Sequence, residues 1–189
     1  MDLSKHLKIS DRATICMPYH KLMDCLEEDR LLDKKFGSTR RGISPVYADK
    51  YMKLRTAGGE YGAATGRPGR VGGFDVVASR YGTKMQGCTY VALTKLDVLS
   101  YMEKIPVCVA YDVDGHRIET FPSGIEELNK AKPIYEYLPG FQSDISNCRT
   151  VDDLPKEALE YIRYIEKMIE CPIKYVSVGA ERDAYITMF

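Results

Sequence analysis

The sequence lacks the features of a membrane, secreted or zinc-binding protein. No apolar run approaches the roughly 18 residues that a membrane-spanning helix needs, and the start, MDLSKH, has none of the apolar stretch of a signal peptide. The six cysteines form no C-x-x-C pair and the three histidines are scattered, so no zinc framework is expected. We therefore predict reduced, structural cysteines in a soluble, cytoplasmic protein.

Net charge and phosphate-loop motifs are missing as well. The 27 lysines and arginines are balanced by 27 aspartates and glutamates, which argues against nucleic acid or an acidic membrane as a partner. Neither G-x-G-x-x-G nor G-x-x-x-x-G-K-[ST] occurs, so neither a dinucleotide fingerprint nor a P-loop is expected. The 189 residues suffice for one domain with a substantial core.

Helical and strand patterns alternate along the chain, which predicts an α/β protein. The predicted helices begin at Pro18, at Phe74, after a capping pair of Ser123 and Glu126, and at Pro155. Their predicted buried faces are Tyr19, Leu22, Met23 and Leu26 in the first, Phe74, Val77, Ala78, Tyr81 and Met85 in the second, and Ala158, Leu159, Ile162, Ile165 and Ile169 in the last. The predicted strands cover residues 89–93, 105–112, 116–121, 173–178 and 184–189, with a hairpin turn at Asp114-Gly115.

Two glycine-containing loops carry arginines and hydroxyls that suit anions. The first reads GSTRRG at 37–42, and the second reads GAATGRPGR at 62–70, just ahead of the helix predicted at Phe74. Small residues let backbone N–H groups converge on a carboxylate or phosphate, and guanidinium forks match either anion. A solvated turn is the alternative for the first loop and a mobile loop for the second.

A lysine and an aspartate follow the strand predicted at 89–93, in the sequence Thr94-Lys95-Leu96-Asp97. Sheets of α/β proteins bind ligands at this end of a strand. The Asp97 carboxylate can accept the ring N–H and the exocyclic amine of guanine, while the Lys95 stem covers the base, and adenine presents the opposite pattern. An ordinary exposed charged pair is the alternative.

Taken in order, these segments resemble the adenylosuccinate synthetase family. The resemblance rests on GSTRRGISPVYADKY at 37–51, GGEYGAATGRPGRVGGFDVVASRY at 58–81 and LTKLDVL at 93–99, and continues through VCVAYDVDG and KPIYEYLPGF towards the C-terminus. It implies a partial P-loop-NTPase-like fold, with a mostly parallel sheet flanked by helices and an added β-hairpin. It also implies a GTP- and Mg²⁺-dependent ligase of purine biosynthesis, which joins L-aspartate to IMP on the route to AMP.

The resemblance also implies roles for individual residues. The predicted IMP contacts are Thr39, Arg41 and Lys53, and the predicted aspartate contacts are Thr65, Gly66 and Arg67. The predicted GTP contacts are Arg70, Lys95, Asp97, Ser177 and Gly179. No catalytic residue and no metal ligand is assigned, because the family's G-D-E-G-K-G-K loop, which carries the catalytic base and a Mg²⁺ ligand, has no counterpart in these residues.

The chain also departs from the family pattern. Family chains are more than twice as long, and a central block is expected to be missing between Lys53 and Leu54. Lys53 stands near a family arginine that reaches the inosinate of the neighbouring subunit, and a lysine cannot reproduce its bidentate fork. Other replacements, of a threonine, an arginine, a tryptophan and a proline, are Ala64, Gly69, Gly73 and Ala180. We expect residues 1–53 and 54–189 to form one domain together.

The expected function is that of the C-terminal portion of an adenylosuccinate synthetase, active only when another chain supplies the missing parts. The alternative is a catalytically inactive remnant that binds guanine nucleotide or dimerises. The expected partners are IMP, L-aspartate and GTP, together with a second copy or a separate N-terminal chain.

Overall fold

The computed structural model of the protein describes residues 18–30, 39–41 and 52–189. The chain divides into two compact units, Met1–Gly69 and Arg70–Phe189, and each is described by itself. Of the predicted features, Cys16 and all of the loop at 37–42 except residues 39–41 lie outside the described residues. No helix within the described ranges has the length and apolar character needed to cross a bilayer.

The first unit contains helix α1, Pro18–Arg30, and a short helix α2 at residues 52–57. Helix α1 begins at the predicted proline, but its predicted buried face is wrong. The side chains of Asp24 and Glu28 are 5% and 4% exposed, whereas exposures of 46–60% are found for Tyr19, Leu22, Met23 and Leu26. Both buried acids have interaction partners, as buried carboxylates require.

One sheet of the second unit is built around its longest strand. Strand β1, Phe74–Asp75, runs parallel to β3, Lys104–Val113. Strands β4, His116–Ile118, and β5, Lys132–Pro139, run antiparallel to β3. The predicted hairpin is confirmed: Asp114 and Gly115 both have positive φ, 52° and 84°, as a tight two-residue turn requires.

A second sheet holds strands β2, Val91–Leu93, β6, Ile173–Ser177, and β7, Tyr185–Thr187. Strands β2 and β6 are parallel, and β7 returns antiparallel to β6. The two sheets are therefore mixed, with two parallel and three antiparallel pairings among the described strands. Together with the helices they confirm the predicted α/β class.

Helix α3, Val76–Gln86, starts two residues later than the helix predicted at Phe74, because Phe74 and Asp75 pair with β3. Asp75 caps the helix by accepting a hydrogen bond from the Ala78 N–H at 3.0 Å. Its other carboxylate oxygen accepts a hydrogen bond from the Tyr111 hydroxyl at 2.5 Å. Burial is the main cause that raises the pKa of Tyr111, and this hydrogen bond adds to the effect. The helix ends at Gly87, whose left-handed φ of 63° is typical of a helix C-terminus.

The predicted buried face is confirmed in helix α5 but only in part in helix α3. In α3, Val76 and Val77 are buried, whereas Tyr81 and Met85 are 48% and 67% exposed. In α5, Lys156–Ile169, the predicted stripe is confirmed, and the residues at most 2% exposed are Ala158, Tyr161, Ile162, Ile165 and Ile169. These side chains pack in one cluster with residues of β2, β3 and β6. Helix α5 thus supplies much of the core.

The turns before helix α4 and after strand β5 each contain a glycine at a defined position. Helix α4, Ile125–Lys130, has Gly124 as its N-cap and no side-chain cap, so the predicted capping pair of Ser123 and Glu126 is wrong. After β5, a Cβ on Gly140 would lie 1.8 Å from the backbone oxygen of Met102. This close approach of two backbone segments leaves room for glycine alone.

All five cysteines that the structure describes are free thiols. Cys108 and Cys171 are buried, and the partly buried ones are Cys25, Cys88 and Cys148. Burial is the main cause that raises the pKa of the Cys108 thiol to about 11, with the Asp75 charge adding to it. These environments are those of structural side chains.

Candidate functional site

Two segments with predicted ligand contacts meet at one sheet edge. Strands β2 and β6 are parallel neighbours, with Leu93 opposite Val176. The chain leaving β2 forms a 3-10 turn, Leu96–Leu99, that contacts β6. Because the carboxyl ends of parallel strands lie side by side, Lys95 and Asp97 come to the same edge as Ser177. Sequence reasoning placed these residues in one site although they are distant along the chain.

The turn after β2 is anchored by its apolar residues. Leu96 and Val98 are 1% and 9% exposed and flank Asp97. Lys95, which precedes the turn, has a left-handed φ of 61°. Such a φ is uncommon for a side chain other than glycine or asparagine. The backbone is thus bent sharply between the strand and the carboxylate.

The Asp97 carboxylate has one oxygen, Oδ1, that is buried and has no hydrogen-bond partner among the described residues. Leaving a buried charged acceptor unpaired is costly, because no water replaces the missing donor. A ligand that brings an N–H group to this oxygen would remove that cost. Among the described residues, Asp97 is thus the acidic residue with a buried oxygen that no donor satisfies.

On the neighbouring strand, Ser177 and Gly179 form a tight turn. The Ser177 hydroxyl donates to the Gly179 carbonyl oxygen at 3.0 Å. A Cβ on Gly179 would lie 3.1 Å from that of Ala184, so a small residue suits this position. The turn brings backbone polar groups close to the edge that carries Asp97.

The glycine-rich loop of the first unit is a closed hairpin and not an open segment. Tyr61 and Pro68 form a β-bridge at its base. Within it, the Gly62 N–H donates to the Arg67 carbonyl at 2.8 Å and the Gly66 N–H donates to the Gly62 carbonyl at 2.7 Å. Gly66 has a φ of 63°, which favours glycine. The loop therefore has a defined backbone.

A helix residue ties down the base of this hairpin. Arg55 of α2 donates from Nε to the Gly69 carbonyl at 2.8 Å. Thr65 accepts the Arg67 N–H at 3.3 Å through its hydroxyl. The Arg67 guanidinium is exposed and makes no hydrogen bond or ion pair within the part of the chain that the structure describes. It is positioned to meet an anion from solvent.

The remaining predicted contacts lie at the surface. Thr39, Arg41 and Lys53 are exposed residues of the first unit, and Arg70 is an exposed residue of the second. Arg40, between Thr39 and Arg41, has a φ of 58° and pairs with Asp29 of α1 at 2.6 Å. Exposed pairs of this kind contribute little to stability.

Two residues that sequence reasoning missed belong to these segments. Ser100 ends the 3-10 turn after β2, and its hydroxyl oxygen is buried without a hydrogen-bond partner among the described residues. Arg55 fixes the glycine hairpin. Neither carried a signal, because a serine at a turn and an arginine on a short helix are ordinary residues there.

Among the described residues, Asp97 offers a hydrogen-bond acceptor for a base and the arginines offer cations for an anion, whereas no metal-binding cluster is found. Within the described ranges no three histidine, cysteine, aspartate or glutamate side chains converge as a metal site would require. The sequence-predicted base contacts thus lie in the second unit, whereas the predicted anion contacts, Arg70 apart, lie in the first.

Comparison with known proteins gives a consistent result. The family model described as adenylosuccinate synthetase matches residues 1–53 and 51–186. The two matched segments overlap at residues 51–53, next to the predicted junction between Lys53 and Leu54. Adenylosuccinate synthetase of Synechococcus sp. (strain RCC307) is 47% identical over 167 residues, which cover 84% of this chain and 38% of that protein.

Further relatives repeat this partial coverage. Adenylosuccinate synthetase of Trichlorobacter lovleyi is 49% identical over 131 residues, 69% of this chain and 30% of that protein. A solved structure of fully ligated adenylosuccinate synthetase from Plasmodium falciparum superposes with a TM-score of 0.70 at 36% identity, covering 75% of this chain and 34% of that one. The chain thus spans well under half the length of the proteins it matches.

Proposed function

Because the chain belongs to the adenylosuccinate synthetase family, we propose that it supplies the guanine- and aspartate-binding parts of an enzyme that joins L-aspartate to IMP with GTP. The observation that carries this proposal concerns the Asp97 oxygen at the carboxyl end of a parallel strand, which is buried and has no hydrogen-bond partner within the described ranges. In keeping with the family, we place the protein in the cytoplasm.

The chemistry of Asp97 favours guanine over the other common bases. A carboxylate accepts only, and guanine offers two adjacent donors, the ring N–H and the exocyclic amine. Adenine has an acceptor at the ring nitrogen, which a carboxylate would repel. Lys95 covers the base with its stem, while Ser177 and Gly179 contribute polar backbone and hydroxyl groups at the same edge. Arg70 meets the charged part of the nucleotide.

The hairpin at Thr65, Gly66 and Arg67 binds the substrate aspartate in this proposal. Its support is the defined backbone and the free guanidinium of Arg67, whose planar fork matches a carboxylate. Thr39, Arg41 and Lys53 contact IMP in this proposal, because a hydroxyl and two cationic side chains suit its phosphate. A homodimer would bring Lys53 to the neighbouring subunit's IMP.

No residue of this chain is proposed as a Mg²⁺ ligand or a catalytic base, since the family's G-D-E-G-K-G-K loop has no counterpart in the sequence. Among the described residues, the acidic side chains form no cluster of metal-ligand type. We therefore propose that Mg²⁺ and the proton-accepting group are held by parts of the family's chain outside these residues. The present residues bind and orient substrates.

Titration with GDP tests the base-binding part. We expect GDP binding to weaken on the order of a hundredfold in Asp97→Ala, since hydrogen bonds to a buried charge are lost. Asp152→Ala is the matched control, because this exposed aspartate also lies in a 3-10 turn and its replacement leaves the site intact. Equal GDP affinity of both variants and the parent would contradict the proposal.

Turnover tests the enzymatic part. The chain is assayed for GTP- and aspartate-dependent conversion of IMP, alone and with an N-terminal fragment of a relative. Conversion only in the mixture supports the proposal. GDP binding without turnover in either case supports the alternative, a non-catalytic guanine-nucleotide-binding or dimerising protein.

A further inference from the structure

Two buried polar atoms lie in the 3-10 turn that follows strand β2. Oδ1 of Asp97 and Oγ of Ser100 are both buried, and neither has a hydrogen-bond partner among the described residues. They are therefore not paired with each other either. Since buried polar groups are nearly always paired, two unpaired atoms only three residues apart indicate a common cause.

The geometry of the turn places the two side chains on one side of it. The Ser100 N–H donates to the Asp97 carbonyl oxygen at 3.0 Å, so Ser100 continues the 3-10 repeat. A 3-10 helix has three residues per turn, and side chains three residues apart are aligned along its axis. The adjacent row confirms this repeat, because Leu96 belongs to the apolar core and Leu99 and Met102 pack against it. Asp97 and Ser100 form a polar row next to that apolar one.

The two groups are chemically complementary. An ionised carboxylate only accepts hydrogen bonds, whereas a serine hydroxyl can donate one and rotates to do so. The carboxylate of Asp97 has about four lone-pair sites, and the two donors of guanine would use one on each oxygen. Lone pairs therefore remain for a donor that reaches the carboxylate from the protein side.

We propose that Ser100 is a positioning residue of the base site, whose hydroxyl donates a hydrogen bond to the Asp97 carboxylate when guanine is bound. The bond holds the carboxylate in the plane that the ring N–H and the exocyclic amine of guanine require. It also gives the buried Ser100 hydroxyl a partner. This inference rests on the proposed function, which supplies guanine as the base that contacts Asp97.

Stability without nucleotide separates this role from a structural one. A serine that stabilises the fold through a hydrogen bond makes the folded protein less stable when it is replaced by alanine. Ser100 has no such bond among the described residues, and its removal leaves no partner unsatisfied. We therefore expect Ser100→Ala to be at least as heat-stable as the parent without nucleotide, while it binds GDP on the order of tenfold more weakly.

A double-mutant cycle with Asp97 tests whether Ser100 acts through the carboxylate. GDP is titrated into the parent, Ser100→Ala, Asp97→Ala and the double variant of the full chain. Because the hydroxyl has nothing to position once the carboxylate is gone, Ser100→Ala should change GDP affinity less than about twofold in the Asp97→Ala background. A tenfold loss that persists in this background would show that Ser100 acts on the base directly or on the fold, and would overturn the inference.

Two further variants complete the test. Ser100→Thr keeps the hydroxyl and should recover most of the GDP affinity that Ser100→Ala loses. Ser123→Ala is the matched control, because Ser123 is exposed before helix α4 and does not cap it, so its GDP affinity should equal that of the parent.

The outcomes distinguish this inference from the function on which it rests. Weak GDP binding by Asp97→Ala together with parental affinity in Ser100→Ala overturns the inference and leaves the proposed function standing. Parental affinity in Asp97→Ala overturns both. A Ser100→Ala protein that is less heat-stable than the parent without nucleotide would show a structural serine, and it would also overturn the inference.

Discussion

Replacing Asp97 by asparagine should change the base that the protein prefers. The substitution keeps the shape of the side chain but turns one accepting oxygen into an N–H donor. Guanine then loses one hydrogen bond, and its amine faces another donor. Xanthine carries a carbonyl oxygen where guanine has the amine, so it matches the asparagine side chain. A gain of xanthine binding cannot arise from unfolding.

The structure sets the size of the effect. A hydrogen bond to a charged group contributes about 1.5–3 kcal/mol. Oδ1 of Asp97 is buried and has no hydrogen-bond partner among the described residues, and the upper part of this range applies to such a buried acceptor. We therefore expect GDP affinity to fall by about 3 kcal/mol in Asp97→Asn, on the order of a hundredfold. XDP affinity should rise by a similar factor.

Calorimetric titration of the parent and the variant with GDP and XDP measures both changes directly. Asp97→Ala is the control, because it removes the acceptor without adding a donor and should bind both GDP and XDP weakly. The reasoning is refuted if Asp97→Asn binds GDP as the parent does. It is also refuted if XDP binds no better to Asp97→Asn than to Asp97→Ala.

Three further predictions concern stability and reactivity. Gly140→Ala should lower the free energy of unfolding by more than about 2 kcal/mol, since its methyl group would overlap a backbone oxygen; Gly124→Ala, where a Cβ meets nothing, should change it by less, and equal thermal shifts would contradict the packing. Burial is the main cause that raises the pKa of Tyr164 to about 12, and its hydrogen bond to Glu136 adds to the effect. The neutral phenol therefore stabilises the fold fully below pH 10 and loses this effect as the pH rises through about 12. Denaturant titrations should find Tyr164→Phe less stable by up to about 1 kcal/mol at pH 7, with the gap closing at alkaline pH; a constant gap would contradict the assignment. With a pKa of about 11, Cys108 should resist maleimide at pH 8 until the protein unfolds, and rapid labelling of the native protein, mapped by mass spectrometry, would show that it is accessible.

Elements with strong local signals were predictable. The stripe on α5 repeats at helical spacing over its whole length, and Asp114-Gly115 allows few conformations other than a tight turn. Both were found as expected, because the determining interactions lie within a few residues. Gly87 ended α3 for the same reason.

Elements that depend on distant partners were not predictable in the same way. Strand β5 was not predicted, because prolines at 133 and 139 argue against a strand, yet it pairs along most of β3. Strand β1 is only two residues long and is defined by its pairing with β3. The face of α1 was predicted in reverse, since its spacing does not reveal that Asp24 and Glu28 find buried partners.

The candidate site, likewise, was predictable only where local residue types decide it. Residue types alone indicated that Asp97 suits guanine. Only the pairing of β2 with β6 brings it to the same sheet edge as Ser177, and only the packing of the turn buries one oxygen that has no donor among the described residues. Arg55 and Ser100 had no sequence signal, because their environment comes from segments that meet in three dimensions.

The pairing pattern of β3 has a consequence for biosynthesis. All of its partners among the described strands, β1, β4 and β5, lie between residues 74 and 139, so this sheet can form on the ribosome while the rest of the chain is still being made. Within residues 52–189, strand β2 has no such local partner, since it must wait for β6, which begins at Ile173. During that interval its edge is open on both sides, and the nascent chain is then most exposed to incorrect strand pairing. Slow synthesis before residue 173 would prolong this interval, and a chaperone that covers β2 would protect it.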